Sequence, residues 1–188
     1  MVTRWKPDAA GRLVTAAMAL FEEQGYDATT VAEIAERAGL TKRTFFRYFT
    51  DKREVLFGGA EELERRWVEA VQSAPADACP LTAVAAGFAP VAEMFEGIHA
   101  FTRVRARIVN ANPELQEREL IKLERLAGRI GAVLRARGVP DHAALLAAHS
   151  GVTVFHVAFG RWVAQDDPAA LARLMEESLL ELRSVTAG

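Results

Sequence analysis

The sequence contains a single cysteine, Cys79, among 188 residues. An intrachain disulfide is excluded, and a reducing, cytoplasmic setting is the expected one. Strand signals are scarce: Val and Thr are scattered and alternating apolar–polar runs are absent, which argues against a sheet. No run approaches the roughly 18 uncharged apolar residues of a membrane-crossing helix. The opening MVTRWKPDAAGR lacks the apolar centre of a secretion signal, so no membrane partner is expected. Repeats and low-complexity tracts are missing too. The net charge of −2 excludes a chain that grips polyanions over its whole surface.

What remains is helical periodicity and helix punctuation, enough for an all-α chain of nine helices. The first runs from Asp8 to Gln24, with Leu13, Ala16, Ala17, Leu20 and Phe21 on one face and Gly25 as its stop. Thr30 caps the second, with Glu33 completing a capping box, and Gly39 ends it. The third spans Thr41–Phe49, and the fourth runs from Asp51 to Ser73. Leu81–Ala100 fits a fifth, Phe101–Asn110 a sixth, and Asn112-Pro113 opens a seventh that reaches Arg137. The eighth is His142–Gln165, and the ninth starts at Asp167-Pro168 and ends near Val185.

Positive charge is concentrated early. Residues 1–55 hold nine Lys/Arg against eight acids, and residues 56–188 hold fourteen against seventeen. From Arg37 to Arg53 there are six basic residues and one acid, Asp51. The second and third helices meet at Ala35 and Gly39, small residues that allow close approach and a positive φ at the turn. Phe45 and Phe49, four apart, share the inner face of the third helix with Leu40. Lys42, Arg43, Thr44, Phe46, Arg47 and Tyr48 are left outside. A solvated helix gains nothing from exposing Phe46 and Tyr48, whereas against DNA a ring packs on sugar and a hydroxyl reaches phosphate. Arg43 and Arg47 can enter one groove, where an arginine reads guanine with two hydrogen bonds.

Residues 9–56 resemble the N-terminal domain of TetR-type transcriptional regulators, through FEEQGYDATT, VAEIAERAGLT and KRTFFRYFTDKREVL. The resemblance implies a three-helix helix-turn-helix DNA-binding domain over residues 1–50. It implies a ligand-binding and dimerisation domain over residues 51–188, and a homodimer that sits on a near-palindromic double-stranded operator and is released by a small molecule. Carried over by position, Thr30 meets phosphate. Thr41, Lys42, Arg43, Thr44 and Arg47 lie at or near bases, and Tyr48 and Lys52 hold the backbone. Phe46 stands where the family has Tyr, so its ring can pack but one hydroxyl contact is lost.

The later helices are less specific. Leu145, His149, Val152, His156 and Phe159 on the eighth helix and Leu171, Leu174, Ser178 and Leu182 on the ninth follow a 3–4 spacing. They suit either burial in one subunit or a dimer interface; the resemblance favours the interface, with Gly151, Ala158 and Gly160 permitting close approach of a partner helix. Trp67, Phe88, Met94, Phe95, His99 and Phe101 are candidates for either core or ligand pocket. Arg103, Arg105 and Arg107 could hold an anionic head group, or pair with Glu114, Glu117 and Glu119. RARIVNANPELQERELIKLERLAG and GRWVAQ are similar to a subgroup whose effectors resemble acyl-CoA. Enzyme readings fail: Ser150 lacks a Gly-x-Ser-x-Gly elbow, and neither a catalytic residue nor a cofactor is expected. His149 and His156 lie two turns apart, about 10 Å in rise, too far to share a metal ion in one chain unless a dimer brings in a second histidine.

Overall fold

The computed structural model describes residues 9–166 and 170–186. Among them, every regular element is helical. In order these are α1 (Ala9–Gln24), α2 (Val31–Arg37), α3 (Lys42–Tyr48), a 3-10 turn (Arg53–Leu56), α4 (Ala60–Ser73), α5 (Pro80–Ala85), α6 (Phe88–Glu93), α7 (His99–Ala111), α8 (Pro113–Ala136), α9 (Asp141–Ala164) and α10 (Leu171–Thr186). The nine expected helical stretches are present among the described residues, with two internal differences. The fifth is divided, α5 and α6 being separate pieces around Ala86-Gly87. The fourth starts as a 3-10 turn and becomes α-helical only after Gly58-Gly59, a pair that disfavours continuous helix on entropic grounds. Asp51 does cap the turn, its carboxylate accepting from the backbone N–H groups of Arg53 at 2.8 Å and Glu54 at 3.1 Å. Asp8 and Asp167-Pro168, the expected helix starts, lie outside the described residues.

The chain divides into two compact units, and the division departs from the boundary expected at residue 50. The first unit runs to Gly58 and takes in Val104–Gln116 as well; the second comprises Gly59–Arg103 and the chain from Glu117 onward. The reason is packing. Leu13, Ala17, Phe21, Ile34 and Phe45 form a core that is completed by Ile108, Val109 and Leu115.

In the second unit Trp67 is fully buried. Its indole N–H donates to the Val84 carbonyl at 2.9 Å, and its ring meets Phe88 and Phe155 edge-on at 5.8 and 5.7 Å. By length and hydropathy alone α9 is apolar enough to cross a membrane. Its run from 142 to 160 carries no Asp, Glu, Lys or Arg, and His149, Ser150, Thr153 and His156 interrupt the apolar character. Its apolar residues serve the unit's core, nine of them buried, including Val154, Phe155 and Trp162. Leu171, Leu174 and Ser178 of α10 are buried in their own subunit as well, and Ser178 accepts a hydrogen bond from Arg161 at 3.2 Å. Gly151 faces Val84 of the same chain.

Candidate nucleic-acid interface

The two short helices of the first unit are fixed by local chemistry. Thr30 accepts a hydrogen bond from the Glu33 N–H at 3.3 Å, and the Glu33 carboxylate accepts from the Thr30 N–H at 2.8 Å and the Thr30 hydroxyl at 2.7 Å. This is a closed capping box. Those bonds, the hydroxyl's first, hold the Glu33 carboxyl below the usual carboxylate range. A carboxylate lowered on folding stabilises above its unfolded value of about 4.3, and that contribution is lost as pH falls from there through the lower folded value. Thr30→Ala should cost about 0.5–2 kcal/mol in urea denaturation at pH 7. The stability difference between Glu33→Gln and the parent should shrink between pH 7 and pH 3.

The turn follows. Gly39 takes φ +63°, the left-handed region that glycine enters without penalty. The Leu40 N–H then reaches back to the Ala35 carbonyl at 2.8 Å. Arg12 of α1 donates to the carbonyls of Ala38 and Gly39, a clamp on the turn that local spacing gives no hint of. Thr41 caps α3 by accepting from the Thr44 N–H at 3.1 Å. Phe45 points inward with no exposed surface and touches the rings of Phe46 and Phe49, both at 5.5 Å.

Phe46 is 56% exposed and Tyr48 44%, so two aromatic rings project from a packed helix. Lys42, Arg43 and Arg47 are exposed beside them. The Arg47 guanidinium lies 4.9 Å from the centre of the Tyr48 ring and donates to its hydroxyl at 3.1 Å. Thr41 is exposed and Thr44 half-buried. The other basic residues of the cluster are engaged elsewhere. Arg37 pairs with Glu23 of α1, one bond measuring 3.0 Å, and Arg53 pairs with Asp51 at 2.8 Å. Lys52, expected as a backbone anchor, is turned inward. Its ammonium donates to the carbonyls of Tyr26 at 2.6 Å and Thr29 at 2.9 Å and lies 4.0 Å from the centre of the Tyr26 ring. Burial pushes that ammonium's pKa down.

The residues expected to line a ligand pocket have other employment. Trp67 and Phe88 are buried core. Met94 is half-buried and Phe101 exposed. Phe95 packs among Phe155, Phe159 and Trp162 at 5.4–6.3 Å, and His99 sits 4.6 Å from the Trp162 ring with Nε2 at 3.0 Å from its carbonyl. Arg103 pairs with Asp166 at 2.7 Å and Arg107 with Glu22 at 3.3 Å. Arg105 donates to the Leu56 carbonyl at 2.6 Å and covers the Phe57 ring. The three arginines thus each meet a different partner, and Arg103 and Arg107 take partners other than the acids of the next helix. Two openings in the second unit have volumes of about 500 and 420 Å³, one between α8 and α9 and one beside Arg65, Arg66 and Pro90. None of the nine expected ligand residues lines either.

Residues 13–57 match the family model described as bacterial regulatory proteins, tetR family. The HTH-type transcriptional regulator TcmR of Streptomyces glaucescens is 33% identical over 132 residues, covering 67% of this chain. That match spans only 58% of TcmR. Among solved structures, a putative TetR-family regulator from Syntrophomonas wolfei superposes with a TM-score of 0.66 over 96% of both chains at 17% identity, a likeness of fold. Thermus thermophilus FadR, a TetR-family repressor in complex with lauroyl-CoA, gives 0.55 over 92% of both chains at 25% identity.

Proposed function

The chain belongs to the TetR family of bacterial regulatory proteins, a family of regulators and not of enzymes, and we propose that it is a ligand-responsive repressor that reads DNA with α3. The observation that carries this reading is the outer face of α3. Lys42, Arg43, Phe46, Arg47 and Tyr48 stand exposed together on a helix whose inner face is locked by Phe45. In the proposal, Arg43 and Arg47 meet base edges, Lys42, Thr41 and Thr44 lie at or near them, and Tyr48 and the Phe46 ring pack on the backbone. Thr30 meets a phosphate by turning its hydroxyl away from Glu33. Lys52 acts from within, tying down the loop that presents Thr30.

Two such units read half-sites about 34–36 Å apart, or a multiple of that, on a near-palindromic operator, held as a homodimer through α9 and α10. The exposed Leu145, Leu146 and Val157 of α9 and Leu180 of α10 support that face. The effector proposed is an acyl-CoA-like thioester, supported by the likeness to the lauroyl-CoA-bound FadR. Effector and operator must then weaken each other by the same factor.

Selection from a random DNA pool followed by gel-shift titration tests the reader. Arg47→Ala should lose about 1–3 kcal/mol of affinity and relax the preference at one position of each half-site. Unchanged affinity together with unchanged preference would remove Arg47 from the bases. Calorimetry with acyl-CoA thioesters of several chain lengths tests the effector, and binding by none would discard that class.

A further inference from the structure

The groove between α8 and α9 has two histidines that the DNA-binding reading leaves unused. His149 and His156 line it, together with Glu124, Thr153 and the apolar Leu120 and Ile121. The His149 Nδ1 lies 3.8 Å from a Glu124 carboxylate oxygen. Two ligands on one tetrahedral zinc stand about 3.3 Å apart, given metal–ligand bonds of about 2.0–2.2 Å. The pair is therefore half an ångström from forming two corners of a site. Within one chain nothing supplies a third: among the described residues no three His, Cys, Asp or Glu side chains converge.

Symmetry supplies it. The outward stripe of α9 includes His142, Leu145, Leu146, His149, Thr153, His156 and Gly160. In a two-fold interface, residue i meets j and j meets i. If two copies of α9 cross antiparallel about an axis level with Val152 and Thr153, each His149 stands opposite His156 of the partner subunit. The same register lays Leu145 over the partner's Gly160. A side chain at Gly160 would meet nothing within 4 Å in its own chain, so the space for Leu145 is there. Exposed Leu120 and Ile121, at 60% and 50%, flank the crossing.

We propose that His149 and Glu124 of one chain and His156 of the partner subunit bind a divalent transition-metal ion, so that the dimer carries two symmetry-related sites. Imidazole and carboxylate suit zinc and cobalt(II), with water as a fourth ligand. The inference rests on the homodimer reading and adds to it a metal dependence. Metal that binds the dimer and not the monomer tightens association: at free metal about ten times the site dissociation constant, two sites strengthen the dimer about a hundredfold.

The test uses the full chain without an affinity tag, cobalt(II) as a visible probe, and sedimentation. The parent should bind two cobalt ions per dimer with the intense absorption of a tetrahedral site, and its dimer should tighten. His149→Ala, at a half-buried position, and His156→Ala, at an exposed one, should fold, as circular dichroism will show, and bind none. Mixed and allowed to exchange subunits, they should recover roughly a quarter of the parent signal, because half the dimers then hold one intact site. A chain that stays monomeric with and without metal sinks the homodimer reading itself. A dimer that takes up no cobalt leaves that reading standing and overturns the metal site, as does cobalt binding that survives in either single variant.

Discussion

Gly151→Ala should destabilise the second unit by about 2 kcal/mol or more in urea denaturation, even though alanine is the better helix former by about 1 kcal/mol. Gly151 lies mid-way along α9, where a Cβ would run into the Val84 side chain of α5. Val84 has no exposed surface and its carbonyl holds the Trp67 N–H, so it cannot give way without disturbing the central indole. Gly87→Ala should be worse. Its Cβ would land on the Trp67 ring itself, a rigid plane pinned by Phe88 and Phe155. The origin of the effect can be isolated. Val84→Ala alone removes buried methyl groups and should cost about 1–3 kcal/mol. Combined with Gly151→Ala it clears the obstructing atoms, so the double variant should be more stable than the sum of the two losses by up to about 3 kcal/mol. Strict additivity would show that α5 and α9 are not in close contact through Gly151.

That contact marks the limit of what could be read from the sequence. Gly151 stood out as a place for close approach of a helix, but spacing along α9 could not tell a helix of the same chain from one of a partner. Features decided within three or four residues were legible. Thr30 and Glu33 close their box, Gly39 turns with positive φ, and Phe45 points in while Phe46 points out. Features that depend on distant residues were not. Arg12 reaches Ala38 across 26 positions, and Lys52 reaches Tyr26 across the same separation. Both are ordinary surface cations when only their neighbours are seen. Lys52 is expected at the DNA backbone only by its position in the family resemblance, and the three arginines of α7 group together because closeness in sequence is the only relation visible. Their partners, Asp166, Leu56 and Glu22, are 49 to 85 residues away.

The same long-range packing makes Leu115 decisive for the DNA reader, although it lies far beyond the helix-turn-helix in sequence. Leu115 has no exposed surface and shares the first unit's core with Phe21, Ile34 and Phe45. Burial, and after it the charge of Glu114 one residue before Leu115, pushes the Tyr26 hydroxyl's pKa up. Leu115→Ala removes a buried side chain at the start of α8 and should cost about 2–5 kcal/mol, a large part of the 5–15 kcal/mol that holds a typical domain folded. Because α3 is only seven residues long, too short to hold its shape in water unaided, the loss should appear as weakened operator binding at temperatures where the parent binds fully. Val185→Ala, at a side chain 79% exposed, should stay within about 0.5 kcal/mol of the parent and bind DNA unchanged. A fragment ending at Gly58 carries the whole helix-turn-helix but lacks Ile108, Val109 and Leu115, and it should show neither a cooperative unfolding transition nor sequence-specific binding. If that fragment folds and binds as the full chain does, α7 and α8 merely rest against the reader. If it fails, and Leu115→Ala weakens the intact protein, the reader is built in part from Val104–Gln116, which complete the first unit's core.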